Sequence, residues 1–516
     1  MAKSLYLINP RPERASYFGA EVFEEAGFAR AQGIADLATA TVAALAPRDW
    51  NVSICDEYVS PVDFDHPADF IGITGKVTQA DRMLALAREF RARGKTVVVG
   101  GPYASLSPQT FRGRCDILLT GELETIADDF FLDLEHGAWK PEYAAGKADL
   151  SISPIPRWDL YPTERALIGC VQTSRGCPFE CEFCDVIQYL GRKQRAKPIS
   201  RVLAELDILY SQGFRAVFIA DDNFTVYRNR AKEILTALRE WNSNRPSGPV
   251  AFSTQVSIDA ARDPMLLQLL AEAGVTWVFI GIETPNQESL RETKKRQNVG
   301  VDMTEQIRAF LERGVSVTGG MIVGFDHDGP DIFERQFEFA MSLPVPIFSV
   351  GALVAPVATP LFERMQSAGR LIRGGAEVAA APWDTNIIPA RMSREELFQG
   401  LRWLCSRLYA PANFGRRVIQ MIEALQPPPC GSGAPGVPRA IESEALTVIE
   451  KLTADGSEER KMVAAVLRAM RGKPFSGKLV MTALFRYAQI RCMYRQGEFI
   501  QQHPGPPAAA LVPIPL

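Results

Sequence analysis

The sequence predicts an α/β protein in three parts: an open parallel sheet, a second series of strand–helix units, and a mainly helical C-terminal region. Three observations predict it. Apolar strand-like runs alternate with amphipathic stretches over residues 1–136. Six further strand–helix units follow over 169–365. Over 366–500 the expected elements are mainly helices.

The elements follow in order. Residues 4–9 (SLYLIN), 52–54, 70–74 (FIGIT), 96–99 (TVVV) and 115–120 (CDILLT) read as short buried strands. Helices are expected over 31–46 and 78–93, from apolar residues three and four apart. Open parallel sheets bind ligands beyond the C-terminal ends of their strands. That rule points to Gly100-Gly101-Pro102 and to Gly121-Glu122, though a Gly-Gly pair can equally be only a turn. Residues 137–168 are polar, contain four prolines and read as a linker.

The second series predicts strands at 169–173, 215–220, 250–256, 276–282, 315–323 and 346–353. Helices are expected at 200–212, 228–240, 263–273, 287–292, 302–313 and 330–342. Six such units fit a partial barrel better than a doubly wound sheet, but periodicity alone leaves both open. Further helices are expected at 393–409, 411–424 and 441–451, with one or two between 458 and 498. Residues 427–438 (PPPCGSGAPGVP) read as a loop, and 501–516 as a flexible tail. Lys and Arg accumulate over 460–496, as a solvated face or as a contact with an acidic surface or membrane headgroups.

Composition excludes several classes. With 47% hydrophobic and 23% charged residues, the chain of 516 residues is not wholesale disordered. Its 57 Lys+Arg balance 60 Asp+Glu, so no nucleic-acid partner is expected. Nine cysteines are too few for a disulfide-built secreted module. Neither a signal-peptide pattern nor an apolar run of about 18 residues occurs, so a cytoplasmic protein without a transmembrane helix is expected.

Chemistry concentrates at Cys177-Pro-Phe-Glu-Cys181-Glu-Phe-Cys184. Three thiols on one tight loop suit iron–sulfur or zinc. Structural zinc needs four protein ligands, and the four histidines are distant in sequence. A [4Fe–4S] cluster with one iron open to a small chelating ligand fits better.

The loop Thr173-Ser-Arg-Gly-Cys177-Pro-Phe-Glu-Cys181-Glu-Phe-Cys184-Asp185 resembles that of the radical S-adenosylmethionine (SAM) enzymes, whose CxxxCxφC hallmark puts an aromatic, here Phe183, before the last cysteine. The resemblance implies an open (β/α)6 barrel in which Cys177, Cys181 and Cys184 hold a [4Fe–4S] cluster. S-adenosyl-L-methionine binds the open iron and is cleaved to a 5'-deoxyadenosyl radical. Later strand ends match the same pattern. Asp221 and Asp222 meet the ammonium or orient nearby groups, with surface capping as the plain alternative. Gln255 and Ser257 end the next strand, and Glu283 is placed to accept from ribose hydroxyls or to cap a helix. In Gly319-Gly320-Met321-Ile-Val323-Gly324 the backbone would line the adenine.

The preceding sheet resembles a cobalamin-binding domain, with Gly100, Gly101, Pro102, Tyr103, Gly121 and Glu122 at its ligand loops. It has no DxHxxG, and Tyr103 stands where many relatives have histidine, so a base-off cobalamin without a histidine lower ligand is implied. The stretch Asp185–Pro198 and the helical C-terminal part resemble the branch that includes hopanoid methylases. Within it, Arg192, Lys193, Arg195 and Lys197 meet a substrate anion or are simply solvated.

The resemblance implies a methyltransferase that moves methyl from methylcobalamin to an unactivated carbon. Cyclisation, ring contraction or another rearrangement with the same cofactors is the near alternative, and a non-enzymatic metal-binding module the distant one. The implied partners are a small-molecule substrate, a lipid or a natural-product intermediate, and an external one-electron reductant such as flavodoxin or ferredoxin. Peripheral membrane contact through the C-terminal helices would reconcile a lipid substrate with a chain that has no anchor.

Overall fold

The computed structural model describes residues 3–372, 384–429, 439–452, 454 and 456–497. The tail expected over 501–516 and most of the loop expected over 427–438 lie outside the described residues. Among the described residues fifteen strands run in chain order: β1 Ser4–Asn9, β2 Gln32–Ile34, β3 Asn51–Asp56, β4 Phe70–Thr74, β5 Thr96–Gly100, β6 Ile117–Thr120, β7 Glu142–Ala144, β8 Ala166–Val171, β9 Ser174–Arg175, β10 Arg195–Ala196, β11 Ala216–Ile219, β12 Ala251–Val256, β13 Val275–Glu283, β14 Ser316–Val323 and β15 Ile347–Ala352.

The first sheet has the order β3-β1-β4-β5-β6-β7 and all its pairings are parallel. Its strands are apolar on both faces because both faces are covered. On one face Ile8, Ile71 and Ile73 pack with Met83 and Phe90 of helix Ala80–Ala92. On the other, Leu5, Leu7 and Leu119 pack with Phe130, Phe131 and Leu134 of helix Ala127–His136. Residues 137–168, expected as a linker, contribute β7 to this sheet before wrapping back to β8.

The second sheet has the order β15-β14-β13-β12-β11-β8-β2, again all parallel. Helices Ile199–Ser211, Arg228–Ser243, Pro264–Ala273, Met303–Leu311 and Ile332–Ser342 cross between its strands. This is the expected partial barrel, with one strand more than expected. The helix expected over 31–46 is corrected: residues 32–34 form β2 on the free edge of β8, and the helix is confined to Leu37–Leu45. Its start is set by Asp36, whose carboxylate accepts from the Thr39 backbone N–H at 2.8 Å.

Helices Arg394–Leu408, Pro411–Ala424, Ala440–Leu452, Ser457–Gly472 and Gly477–Gln496 share one continuous core with the barrel. The other barrel edge, β15, is covered by a strap from the N-terminal segment. There the Tyr17 hydroxyl donates to the Val350 carbonyl at 2.9 Å and lies 2.7 Å from the Tyr494 hydroxyl of the last helix. Among the described residues no helix is long and apolar enough to cross a membrane.

Candidate functional site

The three-cysteine loop is strung between β9 and β10, which pair antiparallel. Its entry is fixed by Asp221. That carboxylate, 1% exposed, accepts from the Thr173 and Ser174 backbone N–H groups at 2.7 and 3.0 Å and from both their hydroxyls at 2.5 Å. Asp221 therefore orients the loop. Its neighbour Asp222 accepts from the Gly176 N–H at 3.0 Å and also lines the cavity described below. Burial pushes the Asp222 carboxyl up to about 6. Gly176 has φ +100°, and a Cβ there would lie 2.6 Å from the Lys193 carbonyl oxygen, so the turn into Cys177 admits only glycine.

Cys181 is buried and Cys177 and Cys184 are half-buried. Burial raises the Cys177 thiol and pushes Cys184 up to about 12. Thiols in such a setting ionise readily only against a strong positive charge, which a bound iron cluster supplies. Among the described residues no three His, Cys, Asp or Glu side chains close around a single metal ion. A multi-iron cluster does not require that convergence, and the three-thiol donor set fits it.

Sequence reasoning missed Lys295. Its ammonium lies 2.6 Å from Glu283 Oε1 and 5.9 Å from the Phe183 ring centroid. Burial alone would lower its pKa, but the Glu283 carboxylate foremost, with negative charge on the Cys181 and Cys184 sulfurs when they are thiolates, more than offsets this and raises it. Glu283 has φ +67° at the register shift between β13 and β14, a strained backbone for a non-glycine residue. The Gln297 amide faces Cys181 Sγ at 3.7 Å. The only hint of this group in the sequence is the basic run Lys294-Lys295-Arg296, which does not show which side chain points inward.

The other expected positions divide. Gln255 lines the cavity. Ser257 is buried and its hydroxyl accepts from the Asn223 amide at 3.2 Å. Met321 and Val323 bury their side chains in the barrel core, Gly319 packs against Phe348, and Gly320 faces Phe279. Tyr103 is buried edge-on against Phe111, with ring centroids 5.7 Å apart, and does not line the cavity. Of the basic cluster, Arg192 pairs with Glu180 on the surface, Lys197 is buried against Glu205, and Arg195 binds Glu122.

One cavity of about 1030 Å³ joins the two sheets. Gly100, Gly101, Pro102, Gly121 and Glu122 line it from the first sheet, and Gln172, Ala220, Asp222 and Gln255 from the barrel. It continues along the first sheet past Leu7, Gly72, Val98 and Phe130. Gly121 has φ +82°, and a Cβ would lie 2.1 Å from the Ala145 carbonyl oxygen, so β6 ends in a turn only glycine can make.

Comparison with known proteins agrees with this architecture. The family model of the radical SAM superfamily matches residues 171–340, and a domain of unknown function (DUF4070) matches 359–474. The chain is 33% identical over 415 residues to an uncharacterized methyltransferase of Synechocystis sp., covering 79% of this chain and 77% of that protein. It is 31% identical over 339 residues to the hopanoid C-2 methylase of Rhodopseudomonas palustris, covering 64% of each. Its fold is similar to that of OxsB, a cobalamin-dependent SAM radical enzyme solved with aqua-cobalamin and S-adenosylmethionine bound. That match has a TM-score of 0.60 at 16% identity and covers 96% of this chain and 80% of OxsB. The chain belongs to the radical SAM superfamily, in one family with the Synechocystis methyltransferase, and has the fold of a cobalamin-dependent radical SAM enzyme.

Proposed function

We propose that the protein is a cobalamin-dependent radical SAM C-methyltransferase. The observation that carries this reading is the single cavity shared by the ligand loops of the first sheet and the strand ends of the barrel. A substrate between them would face both halves of the chemistry at once. When bound, the [4Fe–4S] cluster with S-adenosylmethionine supplies a radical that removes hydrogen from carbon, and the corrinoid supplies the methyl group. The names of the relatives from Synechocystis and Rhodopseudomonas support methyl transfer as the outcome.

The chain's own residues have defined tasks in this reading. Cys177, Cys181 and Cys184 hold the cluster, and Asp221 fixes the entry to their loop. Asp222 and Gln255 present polar groups to the ligand from the barrel. Glu283, held by Lys295, offers a fixed carboxylate beside the cluster loop. Gly100, Gly101 and Gly121 let the backbone approach the corrinoid. Tyr103 turns into the core, which supports a base-off cobalamin without a histidine beneath the cobalt. An external one-electron donor such as flavodoxin or ferredoxin is required.

Anaerobic reconstitution with iron, sulfide and cobalamin tests this reading. Roughly four irons per chain are expected, with one corrinoid and reductive formation of 5'-deoxyadenosine. Deuterated methyl from S-adenosylmethionine should appear on the product, in a screen that begins with hopanoids. 5'-Deoxyadenosine with a product lacking label would assign a rearrangement instead.

A further inference from the structure

We propose that helix Pro360–Ser367, at the start of the segment matched by the domain of unknown function, clamps the cluster loop, with Arg364 as the positioning residue. The proposal rests on the reading of Cys177, Cys181 and Cys184 as cluster ligands.

The Arg364 guanidinium binds carboxylates from three separate elements. Its Nε and Nη2 donate to both oxygens of Glu182, at 2.8 and 2.9 Å. Nη2 also donates to Glu292 Oε1 at 2.7 Å, and Nη1 to Asp326. Glu182 lies between the second and third cysteines. Glu292 ends the helix before the turn that carries Lys295 and Gln297, and Asp326 follows β14. One side chain thus ties the cluster loop, the Lys295 turn and the end of a barrel strand together.

The backbone repeats the grip. The Glu182 N–H donates to the Thr293 carbonyl at 2.9 Å, and its carbonyl accepts from the Leu361 N–H at 3.2 Å. Leu361 and Met365 are buried with Phe325, and Phe183 packs against that small core. Glu182 and Phe183 are therefore both held by the same short helix, one by charge and one by apolar contact.

The arrangement has a physical purpose. A loop of three thiols holds a cluster only while its sulfurs keep their relative positions, and a free loop of this length would give up conformational entropy on every loading. A planar guanidinium with five fixed donors can bridge three carboxylates in one geometry, which a lysine ammonium cannot. Partners beyond the ligands themselves commonly change metal affinity or activity roughly 10–100-fold when removed.

The test uses the full chain, reconstituted anaerobically with iron and sulfide. Arg364→Gln, Arg364→Lys and Glu182→Gln are compared with the parent for iron per chain and rate of cluster loss to an iron chelator. The change that S-adenosylmethionine makes in the EPR signal of the reduced cluster is also compared. Arg364→Gln should lose its cluster roughly 10-fold faster than the parent, with Arg364→Lys between the two. Glu182→Gln removes only the charge pair between Arg364 and the loop and leaves the backbone bonds of residue 182, and Glu292 and Asp326 on Arg364, so it keeps the surrounding fold. It should lose the cluster faster and weaken the EPR response at an unchanged melting temperature. Parental chelator resistance and EPR response in Glu182→Gln and Arg364→Gln would overturn the clamp. A parent chain that takes up no [4Fe–4S] cluster would overturn the ligand reading itself, and the clamp with it.

Discussion

Glu122 and Arg195 join the two halves of the cavity: the carboxylate at the end of β6 accepts from Arg195 Nη2 at 2.6 Å and from Nη1 at 2.8 Å. Arg175, just before the cluster loop, reaches the same carboxylate at 2.8 Å. Burial alone would raise the Glu122 carboxyl, but the two guanidinium groups more than offset this and hold it below the ordinary range. Replacing it leaves two largely buried arginines short of a partner. Glu122→Gln should cost about 3 kcal/mol in chemical denaturation. Because the folded-state pKa is lowered, this stabilisation is present above the ordinary carboxylate range and fades as pH falls through the folded value. An unchanged denaturation midpoint at neutral pH would show that the first sheet docks without this pair.

The cluster cysteines should differ from the other buried cysteines in what their removal abolishes. Cys177→Ala, Cys181→Ala and Cys184→Ala should each abolish reductive cleavage of S-adenosylmethionine. Cys55→Ala, in the core of the first sheet, should leave iron content and cleavage at parental levels. A Cys181→Ala protein that still cleaves S-adenosylmethionine at the parental rate would remove the cluster from this loop.

The sequence made the regular parts of the molecule legible and hid the long-range ones. Runs such as FIGIT announce buried parallel strands because both sheet faces are covered. The cysteine spacing announces a metal loop because the ligands are local. β2 carries no such signal: Gln-Gly-Ile is a strand only because β8 leaves an edge open to it. The Arg364–Glu182 pair spans 182 residues, and no local pattern marks either partner. The basic stretch over 460–496 looked like one face, yet Arg486 is buried, Arg491 pairs with Glu459, and Lys473 donates to the Glu423 and Leu425 carbonyls. Charge patterning shows how many basic side chains there are, and only packing decides which ones meet solvent.

Asp56 gives the interface between the sheets a pH dependence. At the end of β3 it accepts from the Tyr161 hydroxyl and from the Tyr58 N–H at 3.0 Å, and Gln32 of β2 approaches at 3.3 Å. Burial pushes its carboxyl from 3.8 up to about 6. The folded chain therefore holds this proton more tightly than the unfolded chain does. Its contribution to stability is complete below about pH 4 and is lost as pH rises through about 6. Asp56→Asn removes that titration. Between pH 4 and pH 7 the variant should gain on the parent by about 3 kcal/mol, measured as the difference between their denaturation curves. A constant gap across that range would mean that Asp56 ionises normally in the folded chain.

Gly72 offers a test of the proposed corrinoid site that leaves the cluster loop alone. It sits mid-strand in β4, and the cavity runs over it between Leu7 and Val98. A Cβ at this position would already lie 2.7 Å from Leu7 Cδ2. A leucine side chain must therefore displace Leu7 or project into the cavity, and the space along the sheet closes either way. Cys177, Cys181 and Cys184 do not line this cavity, and their loop is held by Asp221, Asp222 and Arg364. Gly72→Leu should bind less corrinoid by absorbance after desalting, while iron per chain and reductive cleavage of S-adenosylmethionine stay at parental levels. If the variant keeps a full complement of corrinoid, the cavity along the first sheet is not where cobalamin enters, and the ligand loops at Gly101 and Gly121 must serve another molecule.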